Sequence, residues 1–215
     1  MVRKKIKRQT PKIPAYLEAI DINSQLEDER YFDTALVSDC EITVETNDTV
    51  YLDKIIFKNV SFQHCTLRNA ELTDVLFENC DLSNADLSNA LFHRVEIKNS
   101  KITGLNLSAA TLRNVLFEDC SGNYASFSYS DYKQVIFKKC SLTNGNFFES
   151  KFENVDFYEC VLNDVSFAQT NLQGIDISNC EFERINVDFK LLEGCIVSQE
   201  QAIGFAKALG LIISE

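Results

Sequence analysis

The residues of this chain best suited to chemistry are eight cysteines and two histidines. Six of the cysteines fall on multiples of twenty: Cys40, Cys80, Cys120, Cys140, Cys160 and Cys180. A column of thiols at that spacing does not converge on a tetrahedral zinc site. A disulfide between neighbouring turns of a repeating structure is allowed by distance. However, two other multiples of twenty are held by Val60 and Ser100. These positions therefore accept other small side chains, which favours structural thiols over disulfides or a metal centre.

The two histidines are His64 and His93. Neither has a Cys, Ser or paired carboxylate beside it in an arrangement that repeats along the chain or breaks the local pattern. The seven glycines are scattered singly, so the sequence contains no glycine-rich phosphate-binding loop. The sequence therefore predicts a protein that is not an enzyme, with no catalytic residues, no cofactor, no metal and no small-molecule substrate.

The elements that carry these residues repeat every five positions. The third position of the repeat, followed from Leu52 to Val187, visits 28 residues, and all but Gly122 are large and apolar or aromatic. A period of five fits neither an α-helix at 3.6 residues nor a strand at 2. The chain must therefore bend after every pentapeptide, with two inward side chains in each.

A second period of twenty indicates how many bends close one coil. Val75, Val95 and Val115 belong to an aliphatic series at this spacing, and Ala70 and Ala90 belong to a small-residue series. Twenty residues therefore form one coil with four sides, and equivalent side chains of successive coils stack in columns.

Segments such as Ala85-Asp86-Leu87 and Ala70-Glu71-Leu72 resemble the A-(D/N)-L-x-x pattern of the pentapeptide-repeat proteins. This resemblance implies an all-β solenoid, namely a right-handed quadrilateral β-helix in which the first and third residues of each pentapeptide point inward. In that family the repeat itself supplies the turns at ordinary residues. That property would explain why the chain has only seven Gly and two Pro.

The ends of the chain depart from the repeat. The first twelve residues carry six basic groups and no acid, so residues 1–15 are predicted to form a flexible basic tail. The alternative is that this tail contacts nucleic acid or an acidic face. The β-helix is assigned to residues 16–195, and the stretch 43–51, with Asn47 at a core position, is predicted to be a distorted coil or a surface loop.

Residues 196–215 are predicted to form a cap. Ser198 and Gln201 fit a capping box at the start of a helix of about eleven residues, and Gly210 suits its end. A short extended apolar segment follows. We predict that this cap also joins two copies of the chain, while a cap that packs only on its own chain is the alternative. The predicted dimerisation residues are Ile203, Phe205, Leu209, Leu211, Ile212 and Ile213.

The charge of the chain is concentrated in its body. After the basic start, all 32 acidic residues but only 15 of the 21 basic residues remain, a net charge of −17. This balance disfavours direct binding of nucleic acid, which depends on Lys and Arg. The side of the coil that starts at Val75, Val95 and Val115 carries eight acids against four bases. We call its outward surface the acidic side and predict that it binds a partner through Asp39, Glu78, Glu96, Glu118, Asp119, Asp156, Glu159 and Asp176.

A C-terminal helix of this type after an uninterrupted solenoid resembles the Qnr quinolone-resistance proteins and their mycobacterial relatives. That resemblance implies a homodimer joined at its C-terminal ends, with an acidic rod that mimics duplex DNA and binds type II topoisomerases. The expected partner is DNA gyrase, with topoisomerase IV as a second target, and the expected effect is inhibition or protection from quinolones. The alternative is a non-catalytic scaffold for an unrelated protein.

About eight coils at the spacing of paired strands would span about 37 Å, close to one turn of B-DNA. No apolar run approaches the 18 residues needed to cross a membrane, and no secretory segment follows the basic start. The sequence therefore predicts a soluble cytoplasmic protein that does not associate with membranes.

Overall fold

A computed structural model describes residues 6–26, 29–46 and 48–214. The fold is the predicted β-solenoid, with about eight turns, parallel sheets and one C-terminal helix. Its elements are β1 (Glu18–Ala19), β2 (Tyr31–Ser38), β3 (Glu45–Thr46), β4 (Tyr51–Lys58), β5 (Thr66–Leu67), β6 (Glu71–Glu78), β7 (Leu91–Lys98), β8 (Thr111–Glu118), β9 (Asp131–Lys138), β10 (Lys151–Tyr158), β11 (Val165–Ser166), β12 (Ile185–Asn186), a 3-10 helix (Phe189–Leu191) and α1 (Gln199–Ala208).

The main sheet contains eight parallel strands in the order β1-β2-β4-β6-β7-β8-β9-β10. Each long strand spans two pentapeptides and pairs with the next in a register of twenty, as in Leu72 with Phe92. On the other two sides, isolated parallel bridges keep the same offset, as in Asp81 with Lys101 and Asp86 with Asn106. The predicted coil of twenty residues with four sides is therefore confirmed.

The chain turns at the fifth residue of each pentapeptide. Every fifth residue from Lys54 to Gly174 has a positive φ, and only Gly104 and Gly174 among them are glycine. Many of the others are Asn or Asp, whose short polar side chains tolerate the left-handed region better than other residues do. The repeat thus turns at ordinary residues, which is how the fold manages with so little Gly and Pro.

The core consists of stacked columns of inward side chains. Phe117, Phe137 and Phe157 form one column, with centroid distances of 4.7 and 5.0 Å and nearly parallel rings. Phe127 and Phe147 belong to a second column, 4.7 Å apart, whose rings meet the first column edge to face. Both arrangements are favourable for aromatic rings, so each coil is held mainly by the coils above and below it.

The first coils break the register. Strand β1 pairs Glu18 with Ala35, an offset of 17 in place of 20. Strand β3 pairs Thr46 with Leu67, an offset of 21. Thr46, rather than Asn47, therefore lies in the backbone row of Leu67, and the stretch 43–51 is a coil with a one-residue slip. Asn47 itself lies outside the described residues.

The C-terminal helix is confirmed together with its capping box. The Ser198 hydroxyl accepts a bond from the Gln201 backbone N–H, and the Gln201 side chain accepts one from the Ser198 N–H. The Gln201 amide nitrogen also donates to the carbonyl oxygens of Ile177 and Cys180, both at 2.9 Å. The helix therefore covers backbone acceptors that the end of the solenoid would otherwise leave open.

Candidate partner-binding face

The N-terminal segment, defined here as residues 6–15, lies along the outer surface of the main sheet. The prediction of a free basic tail is therefore wrong for these residues, and the alternative contact with an acidic face is the one observed. The segment crosses the strands and runs parallel to the solenoid axis. Three hydrogen bonds hold its backbone: Lys12 N–H to Asp74 Oδ1 (2.8 Å), Gln9 N–H to Asn114 Oδ1 (2.8 Å), and Gln134 Nε2 to the Lys7 carbonyl (2.9 Å).

The segment buries polar side chains that the repeat directs outward. Asp74 is 3% exposed, Glu96 6% and Asn114 6%. Arg8 forms an ion pair with Glu96 beneath the segment, where Lys98 also reaches the Glu96 carboxylate. Asp74 is held by Arg94 through two bonds of 2.5 and 2.6 Å. Since buried carboxylates are costly unless paired, this arrangement forms a paired polar site on the outside of the solenoid.

The electrostatics of this site favour ionised carboxylates. Burial opposes ionisation of Asp74, but the bonds from Arg94 and from the Lys12 backbone outweigh it, and the pKa of Asp74 lies below its ordinary value. Burial likewise opposes ionisation of Glu96, and the bonds from Lys98 and Arg8 lower its pKa overall. Both acids therefore keep their negative charge and attract cations.

An apolar row lies beside these charges. Leu76, Leu116 and Ile136 occupy an outward position of the acidic side that is also apolar at Leu36 and Ile56. The N-terminal segment partly covers this row and leaves a groove of about 530 Å³. The groove is lined by Arg8, Thr10, Pro11, Ile13, Leu76, Glu96, Lys98, Leu116, Glu118, Ile136 and Lys138.

The structure divides the eight predicted acidic residues into three groups. Asp39, Asp119 and Glu159 are exposed, while Glu78, Glu118, Asp156 and Asp176 are half-buried. Glu96 is buried under Arg8, so the expectation that it is open to a partner is wrong for this conformation of the chain. Only part of the predicted acidic side is therefore accessible.

Cations of the same chain offset some of this acidity. Lys138 lies 2.5 Å from the Glu118 carboxylate, and Lys58 lies 3.7 Å from that of Glu78. Asp39 accepts a bond of 2.8 Å from the Asn59 amide, and this bond is the main reason why the pKa of Asp39 is lowered. Asp39, Asp119 and Glu159 therefore remain the acids of this side that are exposed to a partner.

The predicted dimerisation residues also separate into two sets. Ile203 and Phe205 are half-buried. The ring centroid of Phe205 lies 6.1 Å from that of Phe182 and 6.5 Å from that of Phe189. Ile203 and Phe205 therefore belong to the cap on the chain's own solenoid. The other four stay exposed: Leu209 (58%), Leu211 (60%), Ile212 (98%) and Ile213 (43%).

The cysteines of the column pack inside the solenoid. From Cys80 to Cys180, each thiol of the column donates to a carbonyl oxygen 23 residues earlier, as in Cys120 to Ile97 at 3.3 Å and Cys140 to Phe117 at 3.5 Å. Burial raises the pKa of Cys80 to about 11, which keeps that thiol protonated and poorly nucleophilic. Among the described residues no group of His, Cys, Asp and Glu could hold a metal ion.

The two histidines lie on the outside of the solenoid. His64 is exposed, whereas His93 is half-buried beside Arg94. Burial and the Arg94 charge both lower the pKa of His93. In the part of the chain that the structure describes, no helix is both long and apolar enough to cross a membrane.

The sequence analysis missed the residues that hold the N-terminal segment: Asp74, Asn114 and Gln134. These three belong to one row, the fifth position of the repeat, on successive or alternate coils. A signal for them was available, since the outward position directly beside that row is apolar at Leu36, Ile56, Leu76, Leu116 and Ile136. Outward apolar residues on a solenoid indicate that something covers them.

Comparison with known proteins agrees with this architecture. Residues 70–147 match the pentapeptide repeat region family, and residues 146–184 match pentapeptide repeats in eight copies. The chain belongs to the pentapeptide-repeat proteins, which are generally non-catalytic. Among its relatives is the uncharacterized protein YisX of Bacillus subtilis (strain 168), which is 55% identical over 209 residues covering 97% of this chain and 99% of YisX.

Solved structures of other pentapeptide-repeat proteins are more distant. QnrB1, a plasmid-mediated fluoroquinolone resistance protein, is 20% identical in the trypsin-treated form of a point variant, with a TM-score of 0.43 over 92% of this chain and 95% of QnrB1. HetL, a protein involved in heterocyst differentiation regulation from the cyanobacterium Nostoc, is 15% identical, with a TM-score of 0.44 over 82% of this chain and 91% of HetL.

Proposed function

We propose that this protein is a dimeric DNA mimic that binds a type II topoisomerase, DNA gyrase in the first place, and inhibits it or relieves its poisoning by quinolones. It would do so in the cytoplasm and without chemistry of its own. The main support for the proposal is that the acidic side runs along a rod whose coils are stacked regularly at the spacing of paired strands. A basic groove that accepts duplex DNA would accept such a surface through the same long-range attraction.

The dimensions and charges support this proposal. Eight parallel strands at about 4.8 Å span about 34 Å, close to one helical turn of B-DNA. Asp119 and Glu159 are exposed at the same position of the repeat and lie two coils apart. Two copies joined end to end would extend the acidic surface to about two turns.

The proposal is tested by titrating the purified full-length protein into a gyrase supercoiling assay, with and without a fluoroquinolone. We expect loss of supercoiling, or recovery of it in the presence of the drug, and a weaker effect as salt is raised. If neither activity changes up to roughly tens of micromolar protein, the topoisomerase proposal fails. In that case the second candidate, a scaffold for another protein, gains support.

The exposed C-terminal residues support the dimer. Leu209, Leu211, Ile212 and Ile213 are all exposed within five positions at the end of the capping helix, and exposed apolar residues that cluster mark interaction sites. A two-fold contact between two copies would bury this surface against itself.

Replacing Leu211 and Ile212 by Asp is expected to halve the mass of the protein in solution, because each charge would have to be desolvated at the contact. Light scattering coupled to gel filtration measures this change. Tyr124→Asp is the matched control, since Tyr124 is 68% exposed on a coil side far from the cap in sequence. If the wild-type protein is already monomeric, or if the double variant remains a dimer, the C-terminal contact is excluded.

A further inference from the structure

We propose that the surface beneath the N-terminal segment is a binding site for an extended arginine-containing segment of a partner protein, and that residues 7–13 occupy this site in cis until such a segment displaces them. The inference does not depend on the partner being a topoisomerase. It concerns a site on the outside of the solenoid with a defined ligand chemistry.

The site is complete without the segment. Strands β6 to β9 pair with one another in an unbroken register of twenty. The core beneath them is closed by inward side chains such as Val95 and Val115, which are 0% exposed. The N-terminal segment adds no strand to this sheet, and the hydrogen bonds that hold its backbone are made to outward side chains. The solenoid therefore does not need the segment to close its own hydrogen bonds.

The contacts show what kind of ligand fits. Two bonds come from backbone N–H groups of the segment to Asp74 and Asn114, and one is accepted by a backbone carbonyl. Such bonds are available to any extended chain. Specificity comes from Arg8 on the buried Glu96 and from the apolar Pro11 and Ile13 beside the groove.

The ligand is therefore an extended segment with an arginine, followed by apolar residues three and five positions later. Arg suits this position better than Lys because its planar group can bond a buried carboxylate through several donors. The groove of about 530 Å³ beside the segment leaves room for a partner to make further contacts with Leu76 and Leu116.

Tethering makes the segment an effective competitor. A segment joined to its site by a short linker acts at an effective concentration in the millimolar range. A free peptide of the same sequence should therefore bind the wild-type protein weakly. It should bind strongly once the tethered copy is weakened, and this difference shows that the site accepts the same sequence in trans.

The test uses the full-length protein and a fluorescein-labelled peptide of residues 6–14, with binding followed by fluorescence anisotropy. Arg8→Glu in the protein places a negative charge against Glu96 and releases the tethered segment. We expect this variant to bind the peptide at least about tenfold more tightly than the wild-type protein does. Gln9→Pro, which removes the N–H donated to Asn114, is a second release variant that leaves all charges unchanged.

Two controls show whether the peptide uses the same site. Adding Glu96→Gln to Arg8→Glu should weaken binding again by about tenfold, because the buried partner of the arginine is lost. Adding Asp86→Asn should leave binding unchanged, since Asp86 pairs with Arg68 on another side of the coil. A scrambled peptide of the same composition tests whether net charge alone is sufficient.

The inference is overturned if both release variants bind the peptide no better than the wild-type protein. It is also overturned if the scrambled peptide binds equally well, or if Glu96→Gln has no effect. Thermal melting followed by circular dichroism establishes that each variant is folded. A positive peptide result with no effect on gyrase would retain this site and reject the topoisomerase proposal, and the reverse result would do the opposite.

Discussion

Replacing Phe137 by Ala is expected to lower the free energy of unfolding by about 3–5 kcal/mol, the range for large-to-small changes at fully buried aromatic residues. Phe137 is 0% exposed and stacks on Phe117 and Phe157 at 4.7 and 5.0 Å. Its ring also meets Phe127 and Phe147 edge to face. The substitution removes one ring from the middle of a column and leaves a cavity that rigid neighbouring coils cannot fill.

The effect should be large because a solenoid is stabilised through contacts between neighbouring coils. A gap in the middle weakens the interfaces on both sides of that coil. Chemical denaturation followed by circular dichroism measures the change. Phe148→Ala is the matched control, because Phe148 points outward and is half-buried. Its ring centroid lies 5.4 Å from that of Tyr129. We expect it to cost about 1 kcal/mol or less, and equal losses at both sites would contradict this account of the core.

Reversing the charge of Asp119 and Glu159 together, by substitution with Lys, is expected to weaken inhibition of gyrase by about tenfold or more. Both residues are exposed on the acidic side. The double change makes that side markedly less negative, which weakens its attraction to a basic groove. The measurement is the protein concentration that halves supercoiling, taken at two salt concentrations.

The control for this prediction reverses Glu149 and Glu153, which lie on other sides of the coil. Glu149 is exposed and has a φ of 51°, close to the 52° of Glu159, so the local backbone is the same. If both double variants lose activity equally, general charge rather than the acidic side is responsible. Glu96 is a poor choice for this experiment, because its substitution would also release the N-terminal segment.

Much of the fold was predictable because the repeat is local. Each inward side chain contacts the equivalent position one coil away, so a period of five and a period of twenty in the sequence correspond directly to the coil and its four sides. The capping box at Ser198 was predictable for the same reason, since its partner Gln201 is three residues away. The slip at Thr46 was not predictable, because a one-residue shift within the coil leaves the spacing of its ends unchanged.

The sequence by itself determined the solenoid, the register of its regular coils, the turn positions, the capping helix and the acidic character of the body. Only the tertiary structure decided where the basic N-terminal segment lies. Arg8 and Glu96 are 88 positions apart, and charge alone does not select one acidic side among several. The bonds that select it come from the backbone N–H groups of Gln9 and Lys12, which every residue except proline has and which therefore leave no pattern in the sequence.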